Sequence, residues 1–199
     1  MTVRLTPDAD PLRLFAALHA EARAGADETV SDAMSLATVG DDGRPSVRVV
    51  LLRGFDARGF VFYTHLDSRK GREATSRPDV ALCFHWPKLK TQVRIEGSAS
   101  PVDDAEADAY FASRPRGSQL GAWASEQSRP LRSRIDLLRR YVGFKRRWLG
   151  AEVPRPPRWT GLRVAPASVE FWFDRLSRLH QRGIYERDGA GWRFTLLNP

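Results

Sequence analysis

The chain has 199 residues, 42% of them hydrophobic, enough to bury a core within one domain spanning 1–199. Basic residues outnumber acidic ones by eight, but they are nearly all arginine and are scattered, apart from Arg139-Arg140 and Arg146-Arg147, which argues against a nucleic-acid partner. The lone Cys83 excludes an internal disulfide, and no apolar run approaches the roughly 18 residues of a membrane span, so no membrane is involved and a reducing cytoplasm is the expected location.

In chain order the elements read as an α+β unit that is mainly β. Residues 1–9 are expected to form a flexible arm. Asp10-Pro11 starts a helix, an acidic N-cap with proline at the first position, and Leu14, Phe15, Leu18 and Ala22 give its apolar stripe. Met34–Val39, Ser46–Arg53 and Phe60–Thr64 read as three strands joined by the turns Asp41–Pro45 and Phe55–Gly59, an antiparallel meander. Ser68 caps a short helix running towards Arg77-Pro78. Val80–Trp86, which carries Cys83 as a buried and inert thiol, and Thr91–Ala99 are two more strands.

Asp103–Ser113 and Arg129–Leu149 read as helices, the second with Leu131, Ile135, Leu138 and Val142 at helical spacing. Pro154–Pro157 is a rigid connector. Leu162–Val164, Val169–Phe173, Gly183–Arg187 and Trp192–Leu197 complete the sheet. Many strands with few helices point to a barrel closed to remove its edges.

Several chemistries lack their residues. There is no Gly-x-Gly-x-x-Gly after a strand, no phosphate loop ending in Gly-Lys-Ser/Thr and no nucleophile elbow around a serine. The four histidines, His19, His65, His85 and His180, show no metal-ligand spacing, so no metal is expected.

What the chain does carry is a set of clusters suited to an anion or an aromatic ring. Arg114 to Trp123, followed by Ala124 to Ser128, concentrates arginine, serine and glutamine donors just after Tyr110, as phosphate recognition requires. Ser68-Arg69-Lys70-Gly71 opens a helix and is suited to an anion, although a solvated basic turn has the same composition. Gln92 with Arg94 equally suits a surface-facing strand, and Tyr110-Phe111 and Glu170–Phe173 equally suit a core. Arg178, His180 and Arg182 share one face of an extended strand, a clustering that calls for an anion or ring against it.

These segments, with Ala33–Val39, Arg48–Gly54, Phe62–Thr64, Gln127-Ser128 and Pro154–Pro156, resemble the pyridoxine (pyridoxamine) 5'-phosphate oxidases from about Asp10 to Pro199. The resemblance implies an FMN-binding split β-barrel with flanking helices. It implies a homodimer whose two FMN sites lie at the interface. FMN would be held by Arg48, Val49, Val50, Leu51, Leu52, Tyr63, Thr64, Arg69, Lys70, Gln92, Gln127, Ser128, Trp172 and Arg182, some of them from the partner chain. Arg53, Tyr110, Arg114 and Ser118 would grip the substrate phosphate, and Arg178 and His180 would be the catalytic pair over the pyridine ring. The implied reaction is oxidation of pyridoxine or pyridoxamine 5'-phosphate to pyridoxal 5'-phosphate, with O2 reduced to H2O2.

The chain departs from the family pattern at several positions. Arg53 stands where lysine is usual, Gln181 where aspartate is usual, and Leu196 where an arginine is expected. Phe173-Asp174-Arg175 replaces a stretch where glutamine and glycine are common. Two other readings are compatible with the sequence: a same-fold FMN oxidase of another compound, as in the phenazine-pathway relatives, and a non-catalytic protein that binds flavin or B6 phosphate.

Overall fold

The computed structural model describes residues 4–25 and 27–199. Its centre is a nine-stranded antiparallel sheet built from β1 (Ala33–Val39), β2 (Pro45–Leu51), β3 (Gly54–Asp56), β4 (Gly59–His65), β5 (Asp79–Trp86), β6 (Thr91–Pro101), β7 (Trp159–Phe173), β8 (Gln181–Asp188) and β9 (Gly191–Leu197). The order is β2-β1-β5-β6-β7-β4-β3, with β8 and β9 continuing from the far part of β7. The two ends of this path, β2 and β3, are consecutive in the chain. Only Leu52 and Arg53 separate them, so this short link joins opposite edges of the sheet and closes it into a barrel. Two backbone hydrogen bonds fix the seam: Leu52 N–H donates to the Asp32 carbonyl (2.9 Å), and Arg53 N–H to the Val61 carbonyl (2.8 Å).

The seam corrects the expected meander. Phe55 and Asp56, expected in the Phe55–Gly59 turn, belong to β3, which pairs with β4 and carries the chain across the barrel, so β4 lies beside β3 and β7. Leu162–Val164 and Val169–Phe173 are parts of one 15-residue strand, β7, in register with β6 apart from a shift between Glu96 and Gly97. There a Cβ on Gly97 would lie 2.1 Å from the Ala165 carbonyl oxygen, so only glycine lets the two backbones approach. The barrel interior is filled by Phe15, Leu36, Phe60, Phe62, Phe84, Val93, Ile95, Val164, Val169 and Phe171, all fully buried.

Helices cover the barrel. They are α1 (Pro11–Ala24), α2 (Glu28–Asp32), α3 (Arg69–Ser76), α4 (Asp104–Ser113), α5 (Arg116–Ala124) and α6 (Arg134–Arg147). Asp10, Ser68, Asp103 and Ser133 cap α1, α3, α4 and α6, each accepting from a backbone N–H of the first turn. Of the arm expected at 1–9, residues 1–3 lie outside the described residues. Within 4–9, Leu5 is buried in the core and the Tyr185 hydroxyl donates to the Thr6 carbonyl at 2.9 Å, while Arg4, Pro7 and Asp8 are exposed.

α6 starts at Arg134, not Arg129, because Ser133 supplies the cap. Its orientation also differs from the expectation. Tyr141, Phe144 and Trp148 pack with Trp123 in a second cluster around Phe111, Leu120, Val153 and Trp159, while Leu131, Ile135, Leu138 and Val142 are exposed. The aromatic side of the helix outcompetes the aliphatic one because it buries more surface. Cys83 is half-buried, and burial raises its pKa, which keeps it a protonated thiol.

Candidate functional site

β4, α3, α4, α5 and the β2 segment ending at the seam together wall a cleft of about 780 Å³. Its lining includes Val49, Val50, Leu51, Arg53, Tyr63, Thr64, Lys70, Tyr110, Arg114, Ser118 and Gln127, all expected from the sequence. The cations are Lys70, Arg53 and Arg114. No carboxylate lines the cleft among the described residues, although Arg53 lies 3.8 Å from the Asp32 carboxylate just outside it, so the lining is net positive and suits an anionic ligand.

At one end, the Lys70 ammonium lies 3.3 Å from Thr64 Oγ1 and 3.2 Å from Gln127 Oε1, and Thr64 itself donates to Gln127 at 3.1 Å. Burial, reinforced by Arg48 nearby, lowers the Lys70 pKa. Gly71 allows this arrangement. A Cβ there would meet the His65 carbonyl oxygen at 2.4 Å, so only glycine lets the first turn of α3 sit against the end of β4. The Arg69 N–H donates to Ser128 Oγ at 3.1 Å, which ties the Gln127-Ser128 segment to the helix start.

At the other end, Arg114 stacks over Trp159, its guanidinium carbon 4.7 Å from the ring centroid. Its Nη1 is buried without a hydrogen-bond partner, an unusual state for a guanidinium. Burial lowers its pKa, and Arg53 close by adds to the effect. Tyr63 stacks on Tyr110 with centroids 3.8 Å apart, and Trp159 continues the stack at 5.2 Å from Tyr63. Desolvation, with Glu106 nearby, pushes the Tyr63 hydroxyl up to about 12, so it remains a donor at neutral pH.

Behind the cleft, Arg48 points away from the lining into a polar knot. It reaches Glu73 Oε2 at 3.2 Å and also bonds Ser46 and Thr38, while Arg69 Nε donates to Glu73 Oε1 at 2.8 Å. Burial favours the neutral form of Glu73, but hydrogen bonds from Ser46, Thr38 and Arg69 more than offset it and hold the carboxyl at about 2. Leu52 is in the core.

The remaining expected residues gather elsewhere. Gln92, Trp172 and Arg182 are cross-strand neighbours on β6, β7 and β8. Arg182 makes a two-pronged contact with Glu170, at 2.9 and 2.8 Å. His180 lies tilted against Trp172, with ring centroids 4.6 Å apart, and its Nδ1 lies 3.1 Å from Asp174 Oδ1 and 3.2 Å from the Arg175 N–H. Arg178 is not on a strand. It ends a 3₁₀ turn, Leu176–Arg178, in which Ser177 and Arg178 both have positive φ (57° and 61°), so the expected shared face of Arg178, His180 and Arg182 does not form. Tyr63 pairs with Gly161 at the start of β7, whereas Trp172 lies at its end, so one chain does not bring the two groups into one cleft.

Residues 26–173 match the family model described as pyridoxamine 5'-phosphate oxidase, and residues 159–199 match the pyridoxine 5'-phosphate oxidase C-terminal dimerisation region. The chain belongs to the pyridoxamine 5'-phosphate oxidase family. The pyridoxine/pyridoxamine 5'-phosphate oxidase of Sphingopyxis alaskensis is 56% identical over all of this chain and 91% of its own length. That of Myxococcus xanthus is 56% identical over 96% of this chain and 92% of its own. Among solved structures, PhzG from Burkholderia lata, in complex with tetrahydrophenazine-1-carboxylic acid, superposes with a TM-score of 0.90 at 37% identity, covering 97% of this chain and 94% of its own. An FMN-binding, pyridoxamine 5'-phosphate oxidase-related protein from Nostoc punctiforme shares the fold, with a TM-score of 0.74 at 19% identity over 96% of this chain and all of its own.

Within this candidate site, sequence reasoning missed three contributors. His65 and Trp159 line the cleft, and Glu73 anchors Arg48 and Arg69 behind it. The Arg69–Glu73 spacing of four on a helix was a readable signal. The approach of Thr38, Ser46 and Arg48 to the same carboxylate depends on strand pairing and left no local trace.

Proposed function

We propose that this chain is a flavin-dependent oxidase that converts pyridoxine 5'-phosphate and pyridoxamine 5'-phosphate to pyridoxal 5'-phosphate, with FMN as cofactor and O2 as acceptor. The observation that carries the reading is the cleft itself: two cationic ends, Lys70 and Arg114 with Arg53, and no carboxylate between them. Two phosphates, one of cofactor and one of substrate, require that arrangement. The unpartnered Nη1 of Arg114 is a donor waiting for an acceptor.

FMN, when bound, supplies the two-electron acceptor that O2 reoxidises. The chain's own residues bind and orient. Lys70, Thr64 and Gln127, with Ser128 and Arg69 behind them, form the cofactor end, and the backbone of Arg48–Leu52 borders it. Arg114, Arg53, Ser118 and Tyr110 form the substrate-phosphate end. The tyrosine and tryptophan stack excludes water from that end and offers a flat wall to an aromatic ligand.

The second group, Gln92, Trp172 and Arg182 with Arg178 and His180, completes the site from a partner chain in a homodimer. The match of 159–199 to a dimerisation region supports this. Arg178 and His180 orient the substrate and assist proton removal. The alcohol gives the aldehyde directly, while the amine gives an imine that water hydrolyses. Two electrons and two protons leave the substrate, and O2 takes them to H2O2.

The test is anaerobic. Protein loaded with FMN is mixed with pyridoxine 5'-phosphate, and the flavin band near ~450 nm is followed. Bleaching, reversed by air and accompanied by aldehyde, is expected. A flavin that stays oxidised with both vitamer phosphates sinks the reading and favours another substrate for the same fold.

A further inference from the structure

A second cavity of about 420 Å³ lies behind the substrate-phosphate end of the cleft and shares Arg53 and Tyr110 with it. Its floor is Asp32, the last residue of α2, only 4% exposed. The Asp32 carboxylate has three cationic or imidazole neighbours, with Arg23, which also lines the cavity, placing Nε 4.0 Å from Oδ1. Oδ1 is 2.8 Å from His19 Nε2, and Oδ2 is 3.8 Å from Arg53 Nη1. His19 is itself buried among aromatic rings: it stacks on Phe15, meets Phe55 edge-on and lies tilted against Trp86. Arg53 therefore has one nitrogen in ion-pair range of a buried carboxylate, while the residue itself lines both this cavity and the cleft. Its backbone is pinned at the seam by Val61, and that of Leu52 by Asp32.

We propose that Asp32, braced by His19, is a positioning residue that sets the Arg53 guanidinium for the substrate phosphate. The inference rests on the function proposed above. It also gives a physical role to arginine at position 53. A planar guanidinium can face a carboxylate on one side and a phosphate on the other, whereas a lysine ammonium is a single point that cannot span both. Asp32 thus acts through Arg53 and touches no substrate. His19 fixes the carboxylate in turn, so that the three residues form a chain from the core to the cleft.

The experiment compares Asp32→Asn, Arg53→Lys and the double variant, each isolated as the FMN-loaded protein, with wild type. Asp32→Asn keeps the size and the His19 contact but loses the charge. KM for pyridoxine 5'-phosphate should rise about tenfold in Asp32→Asn, with kcat within about twofold and flavin content unchanged. With Arg53→Lys already in place, adding Asp32→Asn should raise KM less than twofold further, because the group it positions is gone. Full additivity of the two effects, or equal loss of kcat and stability in Asp32→Asn without a KM change, would overturn the proposal. Binding of pyridoxal 5'-phosphate, followed by its own absorbance, gives the same comparison without turnover. A wild type that binds the phosphate ester tenfold tighter than Asp32→Asn does but oxidises neither vitamer would overturn the oxidase reading alone.

Discussion

Arg114 shows how one residue's surroundings determine its use. Half-buried, stacked on Trp159 and missing a partner for Nη1, it has given up hydration and regained only part of it from protein. A bound phosphate restores the lost hydrogen bonds, so Arg114→Ala should cost about 2–3 kcal/mol of substrate binding. Steady-state kinetics should then show KM for the phosphorylated substrate raised roughly 30- to 150-fold, with flavin content unchanged. Glu73 is the opposite case, a fully partnered carboxylate. Its folded pKa of about 2 lies below the usual value of 4.5, so its stabilising effect is complete above about pH 4.5 and is lost as pH falls towards 2. The contribution at neutral pH is of the order of 2–4 kcal/mol. Urea unfolding of wild type and Glu73→Gln should differ clearly at pH 7, and the gap should shrink steadily as pH falls through 4.5 towards 2. A constant gap across that range would show that the knot is held by packing and not by charge.

At the scale of elements, the site depends on how two helices begin. α3 brings Lys70 to Thr64 only because Gly71 permits contact with the end of β4. Gly71→Ala forces the backbones apart, and should lower the melting temperature and weaken FMN retention together, by about 1–3 kcal/mol in stability. Calorimetry with and without added FMN measures both. α5 was not readable as a helix, since Gly117 and Gly121 depress its propensity. It forms because Leu120 and Ala122 are buried against the Phe111 and Trp159 cluster, and that packing places Ser118 at the cleft. α6 shows the same rule in reverse. Its aliphatic spacing marked a helix correctly but not its buried side, which the aromatic residues took.

For the whole molecule, the proposed site residues lie at the two ends of β7, and the proposed function has a partner chain complete the site. A co-expressed mixture of Arg114→Ala and Arg178→Ala chains tests this directly. Each homodimer is impaired at both sites. In a heterodimer the intact cleft of one chain meets the intact C-terminal region of the other, so one site of two is whole. Random pairing should restore about a quarter of wild-type activity. If all of these residues served a site within one chain, the mixture would do no better than its components. Arg178→Ala alone should lose most turnover while keeping its flavin.

The sequence by itself determined the residue chemistry and most of the elements. The N-caps, the strand alternation and the arginine, serine and glutamine clusters follow local rules with periods of two to four residues, so they survive without coordinates. What only the tertiary structure decided is where those segments meet. The seam at Leu52-Arg53, with β3 at the opposite barrel edge, arises from pairings between strands far apart in the chain. Glu73 becomes the anchor of Arg48, and Asp32 the neighbour of Arg53, through the same closure. The turn that takes Arg178 out of line with His180 and Arg182 rests on two left-handed residues that no local propensity marks. Non-local hydrogen bonding and burial settle such positions, because their energies depend on partners that the adjacent sequence does not contain.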